Sequence, residues 1–192
     1  MTVCVRGCDI DRALKKCAGT ETKVSCVLDF PYGYSGAAAK RAIARDYAAR
    51  GVYEIDMVMN YGAARGGDWA TVETEIRGVV EEAHARNVGV KVIFETSQLD
   101  AEQIRRATEV SIAAGADFVK TSTGFNGAGA TEEAVRIMLD TAAGRAKVKP
   151  SGGIRDFAAA KKYVEMGAAR LGVGYSSCGV ICSGEGASTE NY

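Results

Sequence analysis

The sequence has little of several residue types that common chemistries need. Its 192 residues include one histidine, His84, one tryptophan and two prolines. A lone histidine in a polar, helix-like run argues against histidine-based acid–base catalysis. Lys plus Arg and Asp plus Glu are 24 each, so the net charge is zero, which argues against charge-driven binding of nucleic acid or a membrane surface. No signal peptide, low-complexity tract or bilayer-length apolar run is evident, and we expect a cytoplasmic protein.

The six cysteines do not form a pattern typical of a metal site. Cys4 and Cys8 are separated by three residues, as are Cys178 and Cys182, whereas zinc ribbons use a gap of two. The single histidine is distant in sequence from both pairs. We therefore predict reduced thiols that bind no metal.

Strand-like and helix-like segments alternate along the chain. Strands are predicted at 2–6, 23–30, 53–60, 88–96, 117–125, 146–151 and 170–174, and helices at 9–18, 37–50, 68–86, 100–114, 131–143 and 157–166. Asp68 and Thr131 are predicted helix N-caps. Seven units with a period of about 25–30 residues indicate an α/β fold of the TIM (β/α)8-barrel type with seven of the eight units. We predict one barrel domain over residues 1–183 and a mobile tail over 184–192, with small polar residues from Cys178 onward that are also mobile.

A lysine lies within the fifth predicted strand, in Phe118-Val119-Lys120-Thr121-Ser122. An ammonium group buried in a strand is costly unless it is paired or loses its proton. A neutral lysine amine is a nucleophile that forms imines with carbonyl compounds. A lysine near a strand end can also simply extend to water, so other residues must decide between these two interpretations.

Two further residues favour the catalytic interpretation. Lys149 ends the next predicted strand, and neighbouring strands lie about 4.8 Å apart, so repulsion between Lys120 and Lys149 would leave one amine neutral near pH 7. Asp56, within an apolar strand, would then pair with both lysines and could shuttle protons. Alternatively, Lys149 binds phosphate or faces solvent, and Asp56 forms a structural ion pair. Glu95 has a similar setting, and we expect it to be structural.

Two glycine-containing loops predict an anion site. Gly152-Gly153 follows the sixth predicted strand, and Gly174-Tyr175-Ser176-Ser177 follows the seventh. Glycines let backbone N–H groups approach a ligand, and barrels bind phosphate at the loops after their last two strands. A phosphorylated substrate is therefore predicted, although plain tight turns would give the same pattern.

Four segments together resemble a known family. They are Asp56-Met57-Val58-Met59-Asn60, Lys91-Val92-Ile93-Phe94-Glu95-Thr96, Ala116 to Phe125, and Lys149-Pro150-Ser151-Gly152-Gly153-Ile154-Arg155. In this order they resemble the deoxyribose-phosphate aldolases, class I aldolases of deoxynucleoside breakdown. The resemblance implies reversible cleavage of 2-deoxy-D-ribose 5-phosphate to acetaldehyde and D-glyceraldehyde 3-phosphate. It implies no metal or organic cofactor, because the lysine imine is the electron sink, and it suggests a homodimer.

The resemblance also implies roles for individual residues. Lys120 matches the Schiff-base lysine, Lys149 the second lysine that favours its neutral form, and Asp56 the proton-relaying aspartate. Tyr192 matches a terminal tyrosine that transfers a proton at the enamine carbon in some members. The substrate- and phosphate-binding residues implied by the resemblance and the loops are Cys4, Phe30, Thr121, Thr123, Gly124, Gly152, Gly153, Ile154, Gly174, Ser176 and Ser177.

The sequence departs from the family pattern at its start and in one loop. The family's first strand, with its Asp-His-Thr segment, and the helix after it are missing, and 1–6 matches the family's second strand. A longer protein, a partner chain or the tail could fill this gap. Segment 29–34 is more aromatic than usual, which could change acceptor preference. Two alternatives stay open: an aldolase for another phosphorylated sugar, and a non-catalytic relative that binds phosphosugars or serves as a scaffold.

Overall fold

One sheet of six parallel strands forms the centre of the computed structural model, which describes residues 1–184. The strands are β1 Thr2–Val5, β2 Lys23–Leu28, β3 Glu54–Val58, β4 Gly89–Ile93, β5 Phe118–Lys120 and β6 Lys147–Lys149. They are hydrogen-bonded in chain order, β1 to β6, with helices between them. This order is that of a (β/α) barrel rather than a doubly wound sheet, in which the strand order reverses.

Eight α-helices and two short 3-10 helices, Gly7–Asp9 and Thr96–Gln98, occur among residues 1–184. The α-helices are α1 Ile10–Cys17, α2 Ala37–Ala49, α3 Tyr61–Arg65, α4 Trp69–His84, α5 Ala101–Ala113, α6 Glu132–Ala142, α7 Phe157–Glu165 and α8 Tyr175–Ser183. The predicted N-caps are confirmed: the Asp68 side chain accepts a hydrogen bond from the Thr71 N–H at 3.1 Å, and Thr131 accepts one from the Ala134 N–H at 3.2 Å. None of these helices combines the length and apolar character needed to cross a bilayer.

The two faces of the sheet differ in chemistry. One face is apolar and packs against the helices, with Ile55, Met57, Val92, Val119 and Val148 at most 1% exposed. The other face carries charged side chains at alternate positions, because successive side chains in a strand point to opposite sides. Strand register therefore decides which charged groups meet.

The sheet is strongly curled. Asp56 on β3 and Lys149 on β6 are separated by two intervening strands, which would place them about 14 Å apart in a flat sheet. Their side chains instead form a 2.9 Å ion pair. The polar face is therefore concave, and residues from four consecutive strands share one interior.

The predicted seventh strand is reduced to a single bridge between Ser151 and Gly172. The Ala169 N–H donates to the Val148 carbonyl at 3.0 Å, and the Gly172 N–H donates to the Pro150 carbonyl at 2.8 Å. Pro150 has no N–H to donate in return, so the ladder is interrupted there. Segment 170–174 follows the edge of β6 without becoming a regular strand.

Two helices differ from the sequence-based expectations. The short helix α3 was not predicted; the Asn60 side chain caps it by accepting a bond from the Ala63 N–H at 3.0 Å. The expectation of a mobile segment from Cys178 onward is wrong for residues 178–183, which lie in α8. This helix packs against α7, its Ser177 is buried, and Ile181 contacts the core. Tertiary packing thus outweighs its small, polar composition.

Candidate active site

The buried carboxylate of Asp56 holds three lysine side chains together. Its Oδ1 lies 2.9 Å from the Nζ of Lys91, and its Oδ2 lies 3.0 Å from the Nζ of Lys120 and 2.9 Å from that of Lys149. Because the last two nitrogens contact one oxygen, at 3.0 and 2.9 Å, they lie within about 6 Å of each other. The structure therefore brings together the three residues that the sequence singled out, and adds Lys91.

Strand register places these residues on the concave face. Asp56 pairs with Lys91 across β3 and β4, and Lys120 pairs with Lys149 across β5 and β6. Lys120 and Lys149 are the last residues of their strands, which is the end where barrels carry their chemistry. Both are nearly buried, at 5% and 4% exposure, and Asp56 is fully buried.

A second carboxylate, Glu54, lies two residues before Asp56 on the same face. Its Oε2 is 2.6 Å from the Nζ of Lys91 and also accepts a hydrogen bond from Arg170. Phe118, which pairs in register with Lys91, contacts two cations: its ring centroid lies 5.4 Å from the Lys91 Nζ and 5.0 Å from the Arg170 guanidinium carbon. Cations outnumber carboxylates in this cluster, which favours an anionic ligand.

The surroundings lower the pKa of both Asp56 and Lys149, for different reasons. Burial raises the pKa of Asp56, but the nearby Lys120, Lys149 and Lys91 ammonium groups together outweigh it and hold that pKa far below its ordinary value. Burial and the charge of Lys120 lower the pKa of Lys149, while Asp56 opposes the shift. The cluster therefore combines a carboxylate that stays ionised with a lysine that loses its proton more readily than usual.

Two further residues of the predicted site, Cys4 and Phe30, lie on β1 and just after β2 respectively. Cys4 is exposed and lies close enough to Asp56, Lys120 and Lys149 to interact with them electrostatically. Phe30 follows β2 and packs edge-to-face against Phe125, with ring centroids 5.3 Å apart. Tyr192 lies outside the described residues, as does all of the predicted tail except Gly184, so the role of Tyr192 stays a prediction from the resemblance.

Two threonines after Lys120 form hydrogen bonds with residues that follow β4 and β6. The Thr121 hydroxyl donates to the Ser151 carbonyl at 3.0 Å and accepts from the Ser151 N–H at 2.9 Å. The Thr123 backbone N–H and hydroxyl both donate to the Glu95 carboxylate, the former at 3.2 Å. Asn126 donates to Glu95 at 3.3 Å and to the Pro31 carbonyl at 3.1 Å. These contacts agree with the structural role expected for Glu95, whose pKa burial raises against the opposing effect of these bonds.

The glycines of the predicted phosphate loops adopt conformations that favour glycine. Gly124, Gly152 and Gly153 have φ values of 88°, 84° and 75°. Ile154 is buried beyond them, and α7 begins after its Asp156 N-cap.

The second predicted phosphate loop leads into α8. Gly174 is the N-cap of this helix, and Ser176 and Ser177 lie in its first turn, half-buried and buried respectively. The predicted phosphate residues thus precede or begin two helices, whose N-termini favour anions.

Lys91, Glu54 and Arg170 were not assigned a role from sequence. Lys91 carries the same signal as Asp56, a charged residue inside an apolar strand, and shares the period-two alternation with the other cluster residues. Arg170 gives no such signal, because it approaches Glu54 from a segment outside the named strands.

Comparisons with known proteins give a consistent result. Residues 10–183 match the family model described as DeoC/LacD family aldolase. A deoxyribose-phosphate aldolase from an Exiguobacterium species is 44% identical over 172 residues, covering 90% of this chain and 76% of that protein. The deoxyribose-phosphate aldolase of Exiguobacterium sibiricum is 42% identical over 192 residues, covering 100% of this chain and 85% of the relative.

A solved structure extends the similarity to three dimensions. The tetrameric deoxyribose phosphate aldolase of Aeropyrum pernix superposes with a TM-score of 0.85 at 28% identity, covering 94% of this chain and 75% of that one. The family match covers most of the chain, including all three residues that meet at the buried carboxylate. The chain belongs to the DeoC/LacD family of aldolases.

Proposed function

We propose that the chain catalyses the reversible cleavage of 2-deoxy-D-ribose 5-phosphate into acetaldehyde and D-glyceraldehyde 3-phosphate through an imine on Lys120. The observation that carries the proposal is the contact of Lys120 and Lys149 with the same Asp56 oxygen, at 3.0 and 2.9 Å. The names of the relatives support the choice of sugar. The lysine is the electron sink, so this chemistry needs no metal or organic cofactor.

The first stage is formation of the imine. Repulsion between two neighbouring ammonium groups favours the loss of one proton from the pair, which supplies a neutral amine. The reactive form is the one in which this proton has left Lys120, whose neutral amine adds to the C1 aldehyde of the open-chain sugar; the carbinolamine then loses water to give a protonated imine. Asp56, whose Oδ2 lies 3.0 Å from the Lys120 Nζ, is placed to accept and return protons in these steps.

The second stage is cleavage of the C2–C3 bond. A base removes the C3 hydroxyl proton, the C2–C3 electrons move into the imine, and D-glyceraldehyde 3-phosphate leaves an enamine on the lysine. Protonation at C2 gives the imine of acetaldehyde, and water hydrolyses it to release acetaldehyde and regenerate the amine. We assign the 5-phosphate to backbone N–H groups of the loop 152–154 and the start of α8, by their helix N-termini.

Trapping the imine tests this proposal. Borohydride reduction in the presence of acetaldehyde is expected to leave an ethyl adduct on Lys120, located by peptide mass mapping. The same preparation is expected to cleave 2-deoxyribose 5-phosphate in preference to ribose 5-phosphate and fructose 1,6-bisphosphate. An adduct confined to another lysine, or preferred cleavage of a different sugar phosphate, would contradict the assignment.

Removing the second lysine is expected to shift the pH dependence of imine formation. Lys149→Leu eliminates the charge that repels Lys120, so imine formation should be slower at neutral pH and its rate should rise at higher pH than in the parent protein. The initial rate of borohydride-trapped adduct from pH 6 to 10 measures the shift. Lys147→Leu, two residues earlier on the same face of β6, is the matched control. An unchanged profile for Lys149→Leu would contradict the pairing role.

We further propose a cytoplasmic enzyme of one barrel domain over residues 1–183 that acts as a homodimer. The family resemblance motivates the dimer, whereas the Aeropyrum pernix relative is a tetramer. Light scattering on the purified chain, whose monomer mass is 20.2 kDa, distinguishes these assemblies.

A further inference from the structure

The loop after β5 and the loop after β6 touch through bare backbone at three glycines. A Cβ atom added to Gly129 would lie 2.2 Å from the carbonyl carbon and oxygen of Gly152. A Cβ atom added to Gly152 would lie 2.9 Å from the Cα of Gly129 and 3.3 Å from the Cα of Gly124. No side chain fits between these loops without moving one of them. We call Gly124, Gly129 and Gly152 the glycine contact.

Hydrogen bonds of Ala130 hold the loop beside the glycine contact. The Ala130 N–H donates to the Gly152 carbonyl at 3.1 Å, next to the glycine contact. The Ala130 carbonyl accepts from the hydroxyl of Tyr163 at 2.8 Å, and Tyr163 is a largely buried residue of α7. A continuous connection therefore runs from the body of α7 through Ala130 to the Gly152 peptide.

This connection determines which way the Gly152–Gly153 peptide faces. In a planar trans peptide the carbonyl and the following N–H point in opposite directions. With the Gly152 carbonyl bonded to Ala130, the Gly153 N–H points away from Ala130, and Gly153 is exposed. Rotating this peptide would instead present a carbonyl oxygen to an anion, which is repulsive.

We propose that Gly129 and Tyr163 are positioning residues for the substrate phosphate: they hold the Gly152–Gly153 peptide with its N–H toward the phosphate. The inference rests on the proposed function, which places the 5-phosphate at the loop 152–154. It assigns a role to two residues that do not contact the substrate. The hydrogen bonds of this connection are made by Ala130, Gly152 and Tyr163, whereas the imine chemistry is assigned to Lys120.

Gly129→Ala is the direct test. Gly129 does not require a positive φ, so alanine is conformationally acceptable and acts by the clash with Gly152 alone. We expect KM for 2-deoxyribose 5-phosphate to rise about tenfold, the equivalent of one charge-assisted hydrogen bond, while kcat/KM for unphosphorylated 2-deoxyribose stays within about twofold. Gly78→Ala on α4, where the added Cβ meets Arg41 at no less than 3.8 Å, is the control.

Tyr163→Phe is the second variant and removes only the hydroxyl group. We expect the same preference shift at a smaller size, roughly two- to tenfold, because one neutral hydrogen bond is lost. If Gly129→Ala does not fold, judged by loss of the acetaldehyde adduct on Lys120, Tyr163→Phe decides the question. An unchanged phosphate preference in folded Tyr163→Phe would then overturn the proposal.

A third variant separates this inference from the proposed function. Gly153→Asp introduces a carboxylate in the loop where the phosphate is proposed to bind, in space with no atom within 4 Å of the added Cβ. Because Gly153 has a φ of 75°, Gly153→Asn, with similar backbone strain and no charge, is the control. If Gly153→Asp leaves the preference for the phosphorylated sugar unchanged, the phosphate assignment itself is wrong. If it reduces the preference while Gly129→Ala does not, only the positioning role is wrong. An equal loss for both sugars in Gly129→Ala would show a general structural role and overturn the inference.

Discussion

Replacing Lys120 with leucine is expected to abolish both the trapped acetaldehyde adduct and sugar cleavage. Leucine fills a similar volume beside Asp56 but has no amine, so neither the imine nor the enamine can form. Loss of the nucleophile in other covalent enzymes lowers kcat by factors on the order of 10⁶, and we expect a loss of at least about 10⁴ here. A coupled assay for D-glyceraldehyde 3-phosphate measures it.

The control for this prediction is another lysine on the concave face. Lys147 on β6 pairs in register with Phe118, two residues before the level of Lys120, and its Nζ lies 5.4 Å from the Phe118 ring centroid. Lys147→Leu is expected to keep the adduct on Lys120 and most of the activity. Retention of full activity by Lys120→Leu would refute the imine mechanism as a whole.

Asp56→Asn is expected to lower both stability and activity. Asparagine keeps the shape of the side chain but supplies no negative charge, so Lys120 and Lys149 lose the carboxylate that they share. Removing one partner of a buried ion pair typically costs about 3–5 kcal/mol. For a chain of this length that corresponds to a fall in Tm of about 6–20 °C, measured by calorimetry at pH 7. Loss of the proton relay should also slow cleavage by a factor of about 10²–10⁴.

The stability difference between the parent protein and Asp56→Asn is expected to become smaller at acidic pH. Because the folded pKa of Asp56 is depressed below its unfolded value of about 3.9, its contribution is complete above that value. It is lost progressively as the pH falls from that value toward the folded pKa, because over this range the unfolded state binds a proton that the folded state does not. The Tm gap between the parent protein and Asp56→Asn should therefore be constant near neutral pH and shrink below about pH 4.

An exposed carboxylate provides the comparison for Asp56. Glu165 forms a 3.5 Å pair with Lys161 on the surface of α7, with both side chains more than half exposed. Glu165→Gln should change stability by no more than about 0.5 kcal/mol, because solvent screens such pairs. A Tm for Asp56→Asn equal to that of Glu165→Gln would contradict the structural importance of the buried carboxylate.

The convergence of Lys120, Lys149 and Asp56 could be predicted because it follows from strand alternation. Each residue is a charged side chain within a short apolar segment, and parallel strands place such groups on one face. The additional ion pairs made by Lys91 could not be predicted in this way. The contacts of Lys91 with two carboxylates depend on register and curl, which local sequence does not encode.

In residues 170–183, local composition predicts the wrong secondary structure. The segment 170–174 has a strand-like composition, but Pro150 on the neighbouring strand lacks the N–H that a longer ladder would need. The following residues look irregular in sequence, yet form α8 because they have a surface on α7 to pack against. In both cases the neighbour in space, rather than the local composition, decides the structure.

The shared carboxylate also bears on how the protein folds. Asp56 is 64 residues from Lys120 and 93 from Lys149 in sequence, so their contacts close two of the long loops of the chain. Long-range contacts carry a loop-closure cost and form slowly compared with local helices. The site can therefore assemble only when four strands have docked in the correct register. In a refolding experiment, the appearance of imine-forming activity would mark completion of the sheet, later than the recovery of helical signal.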